Sequence, residues 1–250
     1  GRFIALDPAR LVDTRLPARR PLDSGSPNPW TSTSVGWDVD VAGHVGVPDD
    51  GTAGAVVLSI AAIAGDAPGG VLSAYPGGGA ITTTSNVNVL RGEVRANLVV
   101  VPLGSGGDVT LGIKNIADVV VDVVGYVTSD AAPAATAGRY RAIQTSRVVD
   151  TRIPLGFGTM QPNTAAGLAI PGVGAASAVV QNLTMTNTAA PGHLSAHPSA
   201  TTPVVSNLNV NGPNQIRAVL AFTKLGAGGR MNYTSHARTE FVVDVLGVFS

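Results

Sequence analysis

The stretch RLVDTRLP at residues 10–17 returns as RVVDTRIP at residues 147–154, and this recurrence decides how the chain is organised. Strings that recur in one order in the two halves of a chain indicate an internal duplication. Three more pairs recur in the same order: GVLSAYP (70–76) and GHLSAHP (192–198), SNVNV (85–89) and SNLNV (206–210), VVVDVVGYV (119–127) and FVVDVLGVF (241–249). The sequence therefore predicts two homologous units.

The spacing of the repeats locates an insertion and a linker. The last three pairs are offset by 121 or 122 residues, whereas the Asp-Thr-Arg pair is offset by 137. The first copy thus carries about fifteen additional residues after its Asp-Thr-Arg, and this insertion contains both tryptophans. An Ala- and Pro-rich stretch between the copies is typical of a linker. We predict a first unit at 1–128, a linker at 129–137 and a second unit at 138–250.

Composition and periodicity predict an all-β fold. The chain has 31 Gly and 17 Pro in 250 residues and only 13% charged residues. Short valine-rich runs alternate with Gly or Pro at spacings typical of sandwiches and barrels. A parallel α/β fold needs helical stretches between its strands, and Gly or Pro interrupts every candidate. We expect two homologous β-sandwich or barrel-like units, related by internal duplication with pseudo-twofold symmetry.

Charge and cysteine content exclude several classes of partner. Sixteen Lys and Arg balance sixteen Asp and Glu, so no net field attracts nucleic acid or anionic lipid. Cysteine is absent, which excludes disulfides and thiolate metal sites. The longest nearly apolar run, residues 53–65, is shorter than the roughly 20 residues that span a bilayer. We expect a neutral ligand, no nucleic acid and no membrane insertion.

The Asp-Thr-Arg motif has two compatible interpretations. In a strand, alternate residues share a face, so Asp13 and Arg15 point the same way, as do Asp150 and Arg152. One interpretation is an ion pair that caps the end of a strand. In the other, the carboxylate and guanidinium bind the vicinal hydroxyls of a ligand. An Asp held by an Arg is a rigid acceptor in either case.

A row of asparagines marks a second candidate site. Asn86 and Asn88 share one strand face, and Asn207 and Asn209 repeat them in the second copy. Asparagine is a poor strand former, so the row indicates either an edge strand bonded to a loop or a face that binds an uncharged ligand. Two rings lie beside these strands as candidate ligand contacts, Tyr75 and His197.

Two aspartates interrupt runs of valine that should be buried. Asp122 and Asp244 would each cost several kcal/mol if buried without a partner, so each should pair with an arginine. The candidate partners are Arg95 and Arg217, or Arg15 and Arg152.

Two histidines and two tryptophans are further candidates for metal binding and stacking. His193 and His197 lie four residues apart, which separates them by roughly 13 Å along a strand, too far to share an ion. We therefore predict no metal and no cofactor. Trp30 and Trp37 lie in the insertion, where each ring either stacks on a sugar or covers an open end of the core.

Catalysis is not expected. A glycosidase needs two carboxylates, one of them with a raised pKa, and the second copy offers few acidic residues. No Gly-x-Ser-x-Gly elbow and no phosphate-binding Gly-Lys-Ser/Thr occurs in the sequence. The alternative of an active glycosidase would use Asp13 with Asp38 or Asp40.

The ordered set RLVDTR, GVLSAYP, SNVNV, NLVVVPLG and VVVDVVGYV resembles a tandem β-domain of secreted actinobacterial proteins that are associated with the cell wall. The resemblance implies a non-catalytic carbohydrate-binding module, secreted or at the cell surface, with one site per repeat. Its implied partner is a neutral envelope polysaccharide such as arabinogalactan. The abrupt start at GRFIAL favours a segment cut from a longer protein. The resemblance implies that an enzyme acting on the wall is the fusion partner. The alternative function is a structural or adhesive spacer of a surface protein or phage tail.

Overall fold

The structure is a computed structural model that describes residues 1–16, 35–80, 83–198 and 202–250. Its regular elements in these residues are sixteen β-strands and one 3-10 turn at Ala227–Gly229. No helix of the described chain has the length and hydropathy needed to cross a membrane. The strands are β1 Phe3–Asp13, β2 Val35–Asp40, β3 Ala53–Ala64, β4 Gly69–Pro76, β5 Val87–Leu90, β6 Val94–Pro102, β7 Asp108–Lys114, β8 Ile116–Thr128, β9 Tyr140–Asp150, β10 Ala165–Ala169, β11 Ala178–Thr186, β12 Gly192–His197, β13 Leu208–Val210, β14 Arg217–Lys224, β15 Arg230–Ser235 and β16 Glu240–Phe249.

The strands form four antiparallel sheets of four strands each, in two matching pairs. The sheets of the first copy have the orders β1-β8-β3-β6 and β2-β7-β4-β5. Those of the second copy have the orders β9-β16-β11-β14 and β10-β15-β12-β13. Each strand of one copy therefore has a counterpart at the same place in the other, which confirms the predicted all-β, duplicated, sandwich-like fold.

Alternation along the strands separates the core from the outer faces. In β8, Val119, Val121 and Val123 are fully buried, and Asp122 lies between them on the opposite face. In the second sheet of the first copy, Leu72 and Leu111 are fully buried. Valine suits these positions because its branched side chain packs well on a pleated surface.

The second copy has an equivalent core built from both of its sheets. Leu183 of β11 and Phe241 of β16 belong to the same buried cluster as Leu194 of β12 and Tyr233 of β15. The Tyr233 hydroxyl donates a hydrogen bond of 2.8 Å to Gln181 Oε1, so the polar tip of the ring is satisfied inside the core.

By its internal contacts the chain divides into two compact units. The first consists of Gly1 and Ala9–Ala134, and the second of Arg2–Pro8 and Ala135–Ser250. The division between Ala134 and Ala135 falls within the stretch predicted as a linker. Arg2–Pro8 belong to the second unit, although the first unit follows them along the chain. The physical reason is Phe3, whose ring centroid lies 5.5 Å from that of Phe222 and 4.6 Å from that of Phe249.

Candidate functional site

The first Asp-Thr-Arg forms a network of ion pairs at the end of β1. Arg15 binds Asp13 through two parallel contacts, Nε to Oδ1 at 2.8 Å and Nη2 to Oδ2 at 2.7 Å. Arg10 binds the same carboxylate at 2.5 Å through Nη1, and its Nε donates to Asp122. Both carboxylates are 1% exposed. The acceptor oxygens of Asp13 are therefore engaged inside the protein.

The second Asp-Thr-Arg repeats this network. Arg152 binds Asp150 at 2.8 and 2.7 Å, and Arg147 binds Asp150 at 3.1 Å. Arg147 also binds Asp244, at 2.8 and 3.1 Å. The two networks differ in exposure, because the side chain of Arg147 is 43% exposed and that of Arg10 only 8%.

The threonine of the motif continues the sheet beyond the end of the strand. The N–H of Thr14 donates to the carbonyl of Val119 at 3.1 Å, and the N–H of Val119 donates to Thr14 Oγ1 at 2.9 Å. Thr151 makes the same pair of bonds with Phe241, at 3.0 and 2.8 Å. The hydroxyl thus takes the place of a backbone carbonyl in the ladder. The motif therefore links the end of β1 to β8 in the first unit and the end of β9 to β16 in the second.

These contacts set the ionisation of the aspartates. The hydrogen bond from the Arg15 side chain is the main cause that lowers the pKa of Asp13, and the charges of Arg15 and Arg10 add to it against the effect of burial. The bond from Arg152 likewise lowers the pKa of Asp150. A carboxyl that is held ionised in this way is suited to accepting hydrogen bonds. The acid of a glycosidase must instead carry a proton, so these aspartates are not suited to that role.

The lowered pKa values predict acid sensitivity. A carboxyl with a depressed folded-state pKa contributes stability that is complete above its unfolded value, near 3.8, and is lost as the pH falls through the folded value. We expect the urea midpoint of the first unit, followed by tryptophan fluorescence, to stay level down to about pH 5 and to fall below about pH 4. In Asp13→Asn the midpoint should be lower throughout but fall less steeply. Exposed Asp66→Asn is the control, and a fall in Asp13→Asn as steep as in the parent would contradict the assignment.

In each unit one sheet has the shorter strands, β2-β7-β4-β5 in the first and β10-β15-β12-β13 in the second, and is called the smaller sheet. The Ser-Asn-x-Asn motif fixes the connection between two strands of this sheet. Asn86 donates its N–H to the carbonyl of Leu72 at 2.9 Å, and its Oδ1 accepts the N–H of Ala74 at 2.7 Å. Asn207 makes the equivalent bonds with Leu194 and Ala196, at 2.8 and 2.7 Å. The first asparagine of each motif is therefore committed to holding a loop.

Two serines that are absent from the predicted site strengthen this connection. Ser73 Oγ donates to the carbonyl of Thr84, and Ser195 Oγ donates to the carbonyl of Val205. Both serines belong to the repeated strings GVLSAYP and GHLSAHP. Their recurrence is the sequence feature that indicates a structural role for them.

The second asparagine of each motif and the neighbouring ring lie on the outer face of the smaller sheet. Asn88 is exposed and donates to Ser85 Oγ at 3.0 Å. Asn209 lies opposite His193 in the β12–β13 pair, and its Oδ1 is buried without a hydrogen-bond partner. Tyr75, 5% exposed, also has a buried hydroxyl without a partner. His197 is fully buried, with Nε2 3.1 Å from Thr234 Oγ1.

The predicted site residues fall into two groups that lie on different sheets. Within each unit, the Asp-Thr-Arg belongs to the sheet that contains β1 or β9, and the asparagines belong to the sheet that contains β4 or β12. In the second group Asn88 is exposed, whereas Tyr75 and His197 are buried. Tyr75 Oη and Asn209 Oδ1 of this group are buried and have no hydrogen-bond partner among the described residues.

The arginine partners predicted for the buried aspartates were wrong. Arg95 binds Glu93 at 3.0 Å, and the aspartates bind Arg10 and Arg147 instead. Arg10 and Arg147 begin the repeated strings RLVDTR and RVVDTR, three residues before Asp13 and Asp150. Their recurrence in both copies is the sequence feature that indicates them as partners.

The tryptophans and histidines have structural surroundings. Trp37 is 6% exposed and lies opposite Leu111 on the core side of the sheet, which favours the core-covering role over stacking. Trp30 lies outside the described residues. His193 stacks on His236, with ring centroids 5.4 Å apart. In the described part of the chain, no group of three or more His, Asp or Glu side chains is placed to hold a metal.

Fold and site together define a duplicated, all-β module. In each unit a network of ion pairs fixes the Asp-Thr-Arg, and the smaller sheet carries polar side chains on the face opposite the core. No protein-family model matches the chain, and no curated protein matches it either.

Proposed function

We propose that the chain is a non-catalytic carbohydrate-binding module that holds a neutral polysaccharide of the cell envelope, with arabinogalactan as the first candidate. The protein that carries it would be secreted or displayed at the cell surface, where it would hold an attached enzyme near the wall. The binding groups lie on the outer faces of the two smaller sheets, one face in each unit.

The observation that carries the proposal is a pair of unpaired polar atoms. Tyr75 Oη and Asn209 Oδ1 are buried and lack hydrogen-bond partners in the described chain. A buried polar group without a partner costs about 1–3 kcal/mol. Atoms left unpaired at that cost, on corresponding sheets of both units, are suited to a ligand that supplies the missing bond.

The surroundings of these atoms are mainly hydroxyl and amide groups, with one carboxylate, Asp38, which lies beside Tyr75 and accepts a hydrogen bond from Thr110 Oγ1. The outer face around Tyr75 carries Ser73, Thr110 and Asn88, and the face around Asn209 carries Ser195 and Thr234. Hydroxyl and amide groups both donate and accept, as sugar hydroxyls do. The turn at residues 77–79 lies against the ring of Tyr75, since a Cβ on Gly79 would lie 3.4 Å from Tyr75 Cδ2.

Tyr75→Phe separates binding from folding. The substitution removes only the unpaired hydroxyl, so the free energy of unfolding should stay unchanged or rise by up to about 1 kcal/mol. Affinity for solubilised arabinogalactan should fall about tenfold, because the bond to the ligand is lost. Isothermal titration measures the affinity, and urea unfolding measures the stability.

Tyr126→Phe is the matched control, since Tyr126 is a half-buried tyrosine of β8 in the other sheet of the same unit. The control should bind as the parent does. Equal affinity in Tyr75→Phe and the parent would contradict the role given to this hydroxyl. A parent that binds neither arabinogalactan, arabinan, galactan nor peptidoglycan fragments would contradict sugar binding as a whole.

A second candidate is a structural or adhesive spacer of a surface protein or phage tail. The commitment of the Asp-Thr-Arg groups and of Asn86 and Asn207 to internal bonds favours it, because the recurrence of both motifs then follows from the fold alone. The same titrations decide between the two functions, since a spacer has no glycan affinity to lose.

A further inference from the structure

A cleft in the first unit lies where the two copies differ. It has a volume of about 220 Å³ and lies between the connection from β2 to β3 and the turn from β6 to β7. The turn, at residues 103–107, has a counterpart of equal length at 225–229. The connection, at residues 41–52, is four residues longer than its counterpart at 170–177. Because connections between strands vary more than the strands themselves and often carry binding residues, a difference of this kind is where a separate function is expected.

The lengthened connection brings a carboxylate that the fold does not use. Asp49 lines the cleft, is exposed, and makes no hydrogen bond or ion pair within the described residues. The neighbouring Asp50 is different, because it accepts bonds from the N–H of Thr52 at 3.0 Å and from its hydroxyl at 2.5 Å. The counterpart at 170–177, IPGVGAAS, carries no charged residue.

The opposite wall offers neutral polar groups. Its turn is closed by the N–H of Gly107, which donates to the carbonyl of Gly104 at 2.9 Å. The N–H groups of the two central residues, Ser105 and Gly106, take no part in that hydrogen bond. The Ser105 side chain is exposed. Glycine in a cleft lining lets a ligand approach the backbone closely.

The chemical types of the residues that line the cleft indicate which class of ligand fits it. Among the described residues, the lining holds one carboxylate and no lysine or arginine, which disfavours phosphate and other anions. The same residues include no aromatic ring on which a base would stack. Pro48 and Leu103 add apolar surface beside these polar groups. A sugar ring combines hydroxyls at its edge with C–H groups on its faces, so it matches both kinds of wall.

We propose that this cleft binds one sugar ring of a neutral glycan, with Asp49 accepting hydrogen bonds from two neighbouring hydroxyls and the Ser105 turn binding the opposite edge. The inference rests on the proposed function for its ligand class but places a further site in the first unit alone, separate from the outer faces of the smaller sheets.

Nuclear magnetic resonance on the full 250-residue, ¹⁵N-labelled chain tests the cleft directly. The amide signals of Gly104, Ser105, Gly106 and Gly107 are followed during titration with D-arabinose, D-galactose and short arabinan or galactan fragments. We expect these signals to shift in the parent. Asp49→Asn should weaken the apparent affinity about tenfold or more, because a bond to a charged acceptor is lost. Ser105→Trp should abolish the shifts by filling the cleft.

Asp66→Asn is the matched control, since Asp66 is an exposed aspartate beyond the far end of β3. It should behave as the parent. Silence of the four amides while isothermal titration still detects polysaccharide would overturn the cleft site and leave the proposed function standing. Absence of binding in both measurements would overturn both. Shifts caused by calcium chloride but by no sugar, or shifts that persist in Ser105→Trp, would also overturn the cleft site.

Discussion

Asp122→Asn is expected to lower the free energy of unfolding of the first unit by about 3 kcal/mol, at the lower end of the range for a broken buried ion pair. Arg10, whose side chain is 8% exposed, loses one of its two carboxylates and has almost no access to water in exchange. The loss is limited because Arg10 keeps Asp13 and because Asn retains one acceptor oxygen.

The second unit supplies a matched control for this substitution. Asp244 occupies the same position, but its side chain is 25% exposed and its partner Arg147 is 43% exposed. Asp244→Asn should therefore cost no more than about 1 kcal/mol, as for ion pairs near the surface.

Urea denaturation measures both changes. Both tryptophans of the chain precede residue 38, so their fluorescence follows the first unit, and far-UV circular dichroism follows both units. Equal losses in the two variants would mean that burial of the pair does not determine its contribution. A loss below about 1 kcal/mol in Asp122→Asn would contradict the assignment of Arg10 as a buried, paired charge.

The sequence was sufficient for the fold because the fold depends on regular patterns. Valine-rich strings such as VVVDVVGYV are typical of buried strands, and their recurrence predicts matching strands, which the sheet orders of the two units show. The start of the chain makes a contact that depends on the tertiary structure. The packing of Phe3 on Phe222 and Phe249 joins residues more than two hundred positions apart, and no local pattern predicts such a contact.

For the buried aspartates, the sequence predicts the type of residue that binds them but not which residue it is. Asp122 was expected to be buried and bound to an arginine, and it is, but Arg10 lies 112 positions away along the chain. Choosing between arginines requires the register of β1 against β8, and the sequence specifies which residues alternate rather than which residues lie opposite one another. The cleft beside Asp49 was not predicted because its shape depends on two irregular connections.

The threonine of Asp-Thr-Arg gives the second large expected effect. Thr151→Val keeps the shape of the side chain but removes the hydroxyl, so the buried N–H of Phe241 loses its acceptor. We expect the free energy of unfolding of the second unit to fall by about 2 kcal/mol, the typical cost of stranding one buried donor. Thr14→Val should do the same in the first unit, where the N–H of Val119 loses its acceptor.

Serine at the same positions distinguishes the hydroxyl from the rest of the side chain. Thr14→Ser and Thr151→Ser keep the acceptor and should retain most of the stability that the valine variants lose. Hydrogen exchange adds a local measurement, because the amides of Val119 and Phe241 should exchange faster in the valine variants than in the serine variants. If valine and serine cost the same, the hydroxyl would not be the group that extends the ladder. The recurrence of threonine between Asp and Arg would then have to follow from its backbone contact alone.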